Sequence, residues 1–413
     1  MQMTIPNENG IAPPLPRAEA GERQNASALR WRGFLLDEAR HFFGKNAVKA
    51  LLERMAAHGL NVFHWHLTDD QGWRIDLPGL PELALRGAMR PSSPLPGTDD
   101  TSDGTPYGPF LYSRNDAREI VAYAAERGIA VVPEIDMPGH VRALLASHPE
   151  LACEGVAVPD EPLCKFGVCE DVLCTGGDEA AAFCERLLDA VCGLFPSAFI
   201  HIGGDECPTT RWKTCPRCQA RIREEGLPGE AALQGRFMRL MVEHLEKRGR
   251  RAVVWNEALH CGDLPRSAVI QVWQGDATAD ATAAAGKGHD VILSPMLETY
   301  FSIPEGRPGD PYPYRAWVLQ HGWTLPAERV RAFDPFAYLP AELSEKLLGA
   351  ECCAWSEVIH DRAELEYKVL DRLAAFGEAL GKNLARSSQS SRCLIDSRRA
   401  AGNAEAKNPV NPV

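Results

Sequence analysis

The chain has 413 residues, 45% hydrophobic and 24% charged, a balance that supports a large buried core in one barrel or in two domains. Its net charge of −12 argues against nucleic acid or an anionic membrane surface as the main partner. No run approaches the roughly 18 apolar residues that span a bilayer.

Residues 1–29 read as an irregular lead-in. Met1 to Arg30 is polar and proline-containing, without the apolar h-region of a signal peptide, so a cytoplasmic location and export of a longer form both fit. Gly33-Phe34-Leu35-Leu36-Asp37 predicts a first strand ending in a carboxylate. Asn46 to His58 carries Val48, Leu51, Leu52 and Met55 at helical spacing and is closed by Gly59. Asn61 to Leu67 predicts the next strand, followed by Thr68-Asp69-Asp70-Gln71-Gly72-Trp73-Arg74. The Pro/Gly/Ser/Asp-rich stretch from about Pro91 to Tyr112 reads as a loop, because periodic structure resumes directly after it.

Asn115 or Asp116 is the expected cap of a helix reaching Arg127. Ile129 to Val132 then leads as a strand into Pro133-Glu134-Ile135-Asp136-Met137-Pro138-Gly139-His140. A helix over Asp178 to Leu194 precedes the apolar run Ala198-Phe199-Ile200 and the turn Gly203-Gly204-Asp205-Glu206. Ala231 to Lys247 predicts another helix, with strands at Ala252–Trp255, Val269–Trp273, Asp290–Ser294 and Gly349–Trp355 and a last helix from Ala363 to Leu380. Residues 385–413 are Ser/Arg/Ala/Asn/Pro-rich and read as a disordered tail.

Strand candidates near 33, 62, 129, 198, 252, 269, 291 and 350, mostly separated by helices, suit a (β/α)₈ TIM barrel in one domain spanning 30–384. A doubly wound sheet is the competing arrangement, but no Gly-rich phosphate loop follows the first strand. Thirteen cysteines include Cys215-Pro216-Arg217-Cys218, which with Cys207 could hold zinc. No second CxxC follows at zinc-ribbon spacing, so buried free thiols, or loop disulfides in an exported protein, are the expectation.

In a barrel the strand-end residues converge on one mouth. They comprise Asp37, Arg40, Asp69, Asp70, Glu134, Asp136, His140, Asp205, Glu206, Trp255, Glu257, Trp273, Tyr300, Trp355 and Glu357. Aromatic faces stack on sugar C–H groups while carboxylates and arginine bind hydroxyls. A usual glycosidase pair flanks the scissile bond from opposite faces, about 5–9 Å apart, which two consecutive residues can hardly do. Asp205 and Glu206 suit a mechanism in which one acts on the leaving group and the other handles a substrate group that is itself the nucleophile.

Four segments in register, Arg32 to Phe43, Asn61 to Arg74, Asp136-Met137-Pro138-Gly139-His140 and His201-Ile202-Gly203-Gly204-Asp205-Glu206, resemble the family 20 glycoside hydrolases, the β-N-acetylhexosaminidases. The resemblance runs from about residue 30 to 380. It implies hydrolysis, with retention, of terminal non-reducing β-linked N-acetylglucosamine or N-acetylgalactosamine, the substrate's acetamido carbonyl attacking C1 to give an oxazolinium intermediate. By that resemblance Glu206 is the general acid and then base, Asp205 orients the acetamido N–H, and Tyr300 donates to the acetamido oxygen. Trp255, Trp273 and Trp355 wall the acetamido pocket, Arg40 and Glu357 bind ring hydroxyls, and Asp69, Asp136 and His140 support the arginine or the acid. The implied partner is a glycan; no metal and no organic cofactor is implied.

Ser302 stands where the family commonly has Asp or Asn, which bears on how the 4- or 6-hydroxyl is read, and the pattern around Gly177-Asp178-Glu179 also departs. The smaller α/β domain that commonly precedes the barrel does not fit in the roughly 30 residues before the first strand. Release of a disaccharide (lacto-N-biosidase), cleavage of 6-sulfated N-acetylglucosamine or of poly-N-acetylglucosamine, and sugar binding without catalysis are the alternatives on this scaffold. Several residues have a purely structural reading. Val62, Phe63 and Trp65 suit barrel packing, and His64 and His66 suit satisfied core polarity rather than a metal pair. Glu134 and Asp37 suit partners for Arg32 or Arg40, and the basic run Lys247 to Arg251 suits a helix C-terminus. Trp73 and Trp323 fit either outer subsites or loop caps, and Glu257 either the site or its rim.

Overall fold

A computed structural model describes residues 29–381; the expected lead-in and tail lie outside them, apart from Leu29, which is buried in the core. The described residues form ten strands: β1 (Trp31–Asp37), β2 (Val62–His66), β3 (Thr68–Asp69), β4 (Gly72–Trp73), β5 (Ala130–Glu134), β6 (Phe199–His201), β7 (Arg251–Trp255), β8 (Val269–Val272), β9 (Asp290–Leu293) and β10 (Leu347–Ala354). Eight of them close into a barrel in the order β1-β10-β9-β8-β7-β6-β5-β2, every pairing parallel. All eight are the expected strands, and their almost wholly buried, largely apolar character is what a sheet covered on both faces requires. β3 and β4 form a small antiparallel hairpin above β2, which the polar run Thr68-Asp69-Asp70-Gln71 does not announce.

Helices Lys45–Ala57, Arg114–Ala125, Asp178–Leu194, Glu230–Lys247 and Ala277–Lys287 turn their buried faces to the strands, and residues 362–381 are helical as expected. The cap of the helix starting at Arg114 is Ser113, not Asn115 or Asp116. Its hydroxyl accepts from the Asp116 amide while the Asp116 carboxylate accepts from the Ser113 amide. No helix among the described residues is long and apolar enough to cross a membrane.

Alternation along the strands builds the barrel interior in layers. The bottom is an apolar plug to which each barrel strand gives one residue: Trp31, Val62, Val132, Phe199, Val253, Val269, Ile292 and Leu348. Phe34, Phe63, Trp65 and Val254 point outward into the larger core under the helices. Two residues further along the strands, three in β10 where the register shifts, the interior turns polar, with His64, Glu134, His201, Gln271 and Glu351 all fully buried. This layer carries the floor of the pocket.

Candidate active site

The polar layer is held by its own ion pairs. Glu351 accepts from Trp31 Nε1 at 2.8 Å and Gln271 Nε2 at 2.8 Å and lies 2.7 Å from His64 Nδ1. Glu134 lies 2.9 Å from His201 Nδ1 and 3.1 Å from His64 Nε2, accepts from Trp255 Nε1 at 2.9 Å and also binds His66. Burial alone would discharge His64, but Glu351 and Glu134 raise its pKa to about 9. Glu134 is therefore a partner of histidines, not of Arg32 or Arg40. The i,i+2 spacing of His64 and His66 puts both on the barrel's inner face, where they meet carboxylates from β5 and β10. Asp37 does pair with Arg40, at 3.2 Å, and also accepts from the Ser356 amide, tying the end of β1 to the end of β10.

Above this layer a pocket of about 840 Å³, including its open mouth, is lined by Arg40, Asp69, His140, Asp205, Glu206, Trp255, Trp273, Tyr300, Trp355 and Glu357. Ten of the eleven residues to which the resemblance gives a role thus meet in one place. Asp136, the eleventh, is buried behind them and accepts from the Gly204 amide at 3.2 Å. Asp37, Asp70, Glu134 and Glu257, also expected at the mouth, are not in the pocket lining.

The turn after β6 is shaped by backbone geometry. Gly203 and Gly204 have φ of 64° and 99°, and a β-carbon on Gly203 would lie 1.6 Å from Asp136 Oδ1. Trp255 donates its amide to the Gly203 carbonyl at 3.0 Å and Gln234 donates to Gly204 at 2.8 Å, so the turn is stitched to β7 and to helix Glu230–Lys247. Glu206 itself has φ of 40°, and His140 has 52°. Such conformations cost about 1–3 kcal/mol each and persist where the surroundings enforce them.

His140 is the hub. Its Nδ1 lies 3.2–3.3 Å from Asp70 and Asp69, and its Nε2 lies 3.5 Å from Glu206 and 3.7 Å from Asp205. Its hydrogen bond holds Glu206 below the usual carboxylate range, against partial burial. Asp205 goes the other way: burial, with Glu257, Glu134 and Glu206 nearby, outweighs His140 and raises it to about 7. One Asp205 oxygen, Oδ1, is buried without a hydrogen-bond donor. Arg40 reaches Asp69 at 2.8 Å and Gln71 at 2.9 Å and lies over Trp355, 5.4 Å from the ring centre.

Aromatic side chains form a continuous wall. Trp273 stacks on Tyr300 with ring centres 5.9 Å apart and planes 5° from parallel. Tyr300 and Trp255 each lie 6.0 Å from Trp355. Trp273 donates its indole N–H to Glu257, which also accepts from Gln274, so Glu257 orients a wall residue. Trp73 is buried with its N–H on the Ile75 carbonyl and belongs to the core.

Sequence reasoning missed Met296, Ile303, Arg315, Trp317, Val318 and Val358 in the pocket lining; Ser302, singled out as a departure, is there too. Arg315 pairs with Glu357 at 3.4 Å and Asp99 at 2.6 Å, and Trp317 stands at the rim with Trp323 edge-on against it. They come from the irregular stretch between β9 and β10, where no periodicity marks a strand end.

Four groups among the described residues are dense enough in ligand atoms to hold a metal. Three of them, built on His64, Asp69 and Asp136, consist of residues of the polar layer and the pocket. The fourth is Cys153, Cys174, Cys215 and Cys218, outside the pocket lining; Cys207, the expected companion of the CxxC pair, is not in it.

The model of glycosyl hydrolase family 20, catalytic domain, matches residues 29–383. The chain is 38% identical over 381 residues to a beta-hexosaminidase of Porphyromonas gingivalis, covering 90% of this chain and 46% of that protein. It is 37% identical over 361 residues to a beta-hexosaminidase of Vibrio furnissii, covering 85% and 56%. It therefore spans about half the length of these curated relatives. Among solved structures, a GH20 exo beta-N-acetylglucosaminidase from Vibrio harveyi in complex with N-acetylglucosamine matches with a TM-score of 0.75 at 31% identity, over 90% of this chain and 58% of that one. With the family model covering almost all of the barrel and its pocket, the chain belongs to glycosyl hydrolase family 20.

Proposed function

We propose that the protein is a retaining exo-β-N-acetylhexosaminidase that removes terminal, non-reducing β-linked N-acetylglucosamine or N-acetylgalactosamine from glycans by substrate-assisted catalysis. The observation that carries this is the pairing of two consecutive carboxyls of opposite character at one wall of the pocket. Asp205 is buried, with one oxygen lacking a donor, while Glu206 is more open.

The acetamido N–H of a bound sugar is the donor that Asp205 lacks. Accepting it favours the ionised form, which holds the carbonyl oxygen toward C1 and offsets the charge that develops on the ring. Tyr300 donates its hydroxyl to that carbonyl oxygen, and Trp255, Trp273 and Trp355 enclose the acetamido methyl. Glu206 is ionised in the free protein, and sugar covering it takes away water that favours the charge, raising its pKa toward the value a general acid needs. It then protonates the leaving oxygen and later takes a proton from the water that opens the oxazolinium ring. Arg40 and Glu357 bind hydroxyls of the ring. The relatives' names and the N-acetylglucosamine bound in the Vibrio harveyi structure support this substrate class.

The test compares wild type and Glu206→Gln on an aryl β-N-acetylglucosaminide and on the matching aryl β-glucoside, which lacks the acetamido group. Loss of the acid should lower kcat by about 10²-fold or more, and wild type should leave the glucoside essentially uncleaved. Near-normal activity of the variant defeats the acid assignment; equal cleavage of both glycosides defeats substrate assistance.

A further inference from the structure

We infer that Cys153, Cys174, Cys215 and Cys218 bind one structural Zn²⁺ ion through four thiolates, stapling together the two loops that carry His140 and Glu206. The four Sγ atoms all lie within 4.8 Å of one another. The separations are 3.9 Å for Cys153–Cys218 and 3.7 Å for both Cys174–Cys215 and Cys174–Cys218. Four sulfurs at the usual zinc distance of about 2.3 Å form a tetrahedron with edges of about 3.8 Å, which these three separations match, the other three being within 4.8 Å. Because Cys174 is equally far from Cys215 and Cys218, the arrangement singles out no disulfide partner for it. Four soft thiolates in a tetrahedral cage, closed to other ligands, select zinc for structure rather than catalysis.

The surroundings are built to hold the cage. Cys215 caps helix Pro216–Glu224 and Cys218 lies in its first turn, so two sulfurs sit at a positive helix end that favours thiolates. Gly176 presses against this knuckle: a β-carbon there would lie 2.3 Å from Cys218 Cα and 2.5 Å from its nitrogen. Trp212, fully buried, packs on the cysteines and donates its indole N–H to the Leu173 carbonyl at 2.8 Å. Arg217 donates to the Ala152 carbonyl at 3.0 Å and Arg221 to the Gly176 carbonyl at 3.2 Å, placing two cations beside a site whose net charge with zinc is negative.

The topology gives the ion its role. Cys153 and Cys174 belong to the segment that follows β5 and His140; Cys215 and Cys218 belong to the one that follows β6 and Glu206. Leu173, next to Cys174, donates its amide to the Pro138 carbonyl at 3.0 Å, which carries the staple to the turn holding His140. Each thiol gives up its proton when it binds the ion, and no electron is transferred.

The full chain, purified under reductant and passed through a chelating column, should retain about one zinc per chain by elemental analysis. A Cys215→Ser/Cys218→Ser variant should fall below about a tenth of that, while Cys261→Ser, outside the cage, should keep the full amount. Should the double variant not fold, cobalt exchanged into wild type decides the matter. The visible bands and thiolate-to-cobalt charge transfer of tetrahedral four-sulfur coordination support the site. Metal-free folded protein with four freely reactive thiols overturns the proposal. So does peptide mapping that finds these cysteines joined in disulfides.

Discussion

Replacing Gly203 by alanine tests whether the turn after β6 is what aims the two carboxyls. At φ of 64° an alanine pays about 1–2 kcal/mol for the left-handed conformation alone. Its β-carbon would also lie 1.6 Å from Asp136 Oδ1 and 3.0 Å from Asp136 Cα, so the carboxyl and the backbone behind it must both move. Overpacking of that kind costs about 1–3 kcal/mol, and the Gly204 amide loses its acceptor as well, for a total of about 3–5 kcal/mol. Gly59 is the control: its φ is 74°, with nothing within 4 Å of the added carbon, so Gly59→Ala isolates the backbone cost of about 1–2 kcal/mol. Urea unfolding of the three proteins, read as midpoint and slope, gives the stability difference. Because the displaced atoms lead directly into Asp205 and Glu206, kcat/KM for Gly203→Ala should fall by about 10²-fold even where the protein is fully folded. Equal stability of the two variants, or Gly203→Ala with wild-type kcat/KM, would refute the reasoning.

The pH dependence and the rim give two further expectations. With Glu206 below its usual range and Asp205 at about 7, kcat/KM should rise through the first and fall through about pH 7. His140 lowers both groups, so His140→Asn should move both limbs to higher pH; limbs that stay in place or move down contradict the assignment. Arg315→Ala frees Glu357 and Asp99 at the rim, away from the reacting carboxyls, and should raise KM several-fold while kcat changes less than about twofold. An equal fall in kcat would place Arg315 in the transition-state contacts instead.

What the sequence made legible follows from where its signals were periodic. Each barrel strand shows as a short apolar run, and chemistry-bearing residues stand where the runs stop, so Asp205, Trp255 and Trp355 are expected at one mouth and meet there, while Asp37 and Glu134, expected beside them, are fully buried outside the pocket lining. The hairpin of β3 and β4 escaped because two-residue strands made of Thr, Asp, Gly and Trp carry no pattern. Arg315 and Trp317 escaped for a related reason: they sit in a long connection whose path depends on what it packs against. Glu134 was matched to the wrong partner because chain order does not show which neighbours share the barrel's inner face. The cysteines show the same limit, since CxxC is visible at 215–218 but its companions at 153 and 174 come from another loop.

The polar layer beneath the pocket constrains how this scaffold can change. His64, His66 and His201 all lean on Glu134, while Glu351 serves His64 together with Trp31 and Gln271. Removing one member strands a buried charge, typically at a cost of about 3–5 kcal/mol, whereas replacing a whole set by apolar side chains of similar volume can be neutral. Laboratory evolution that varies these positions singly will therefore meet only losses. A different floor for this pocket has to arrive as a coordinated exchange of several residues at once.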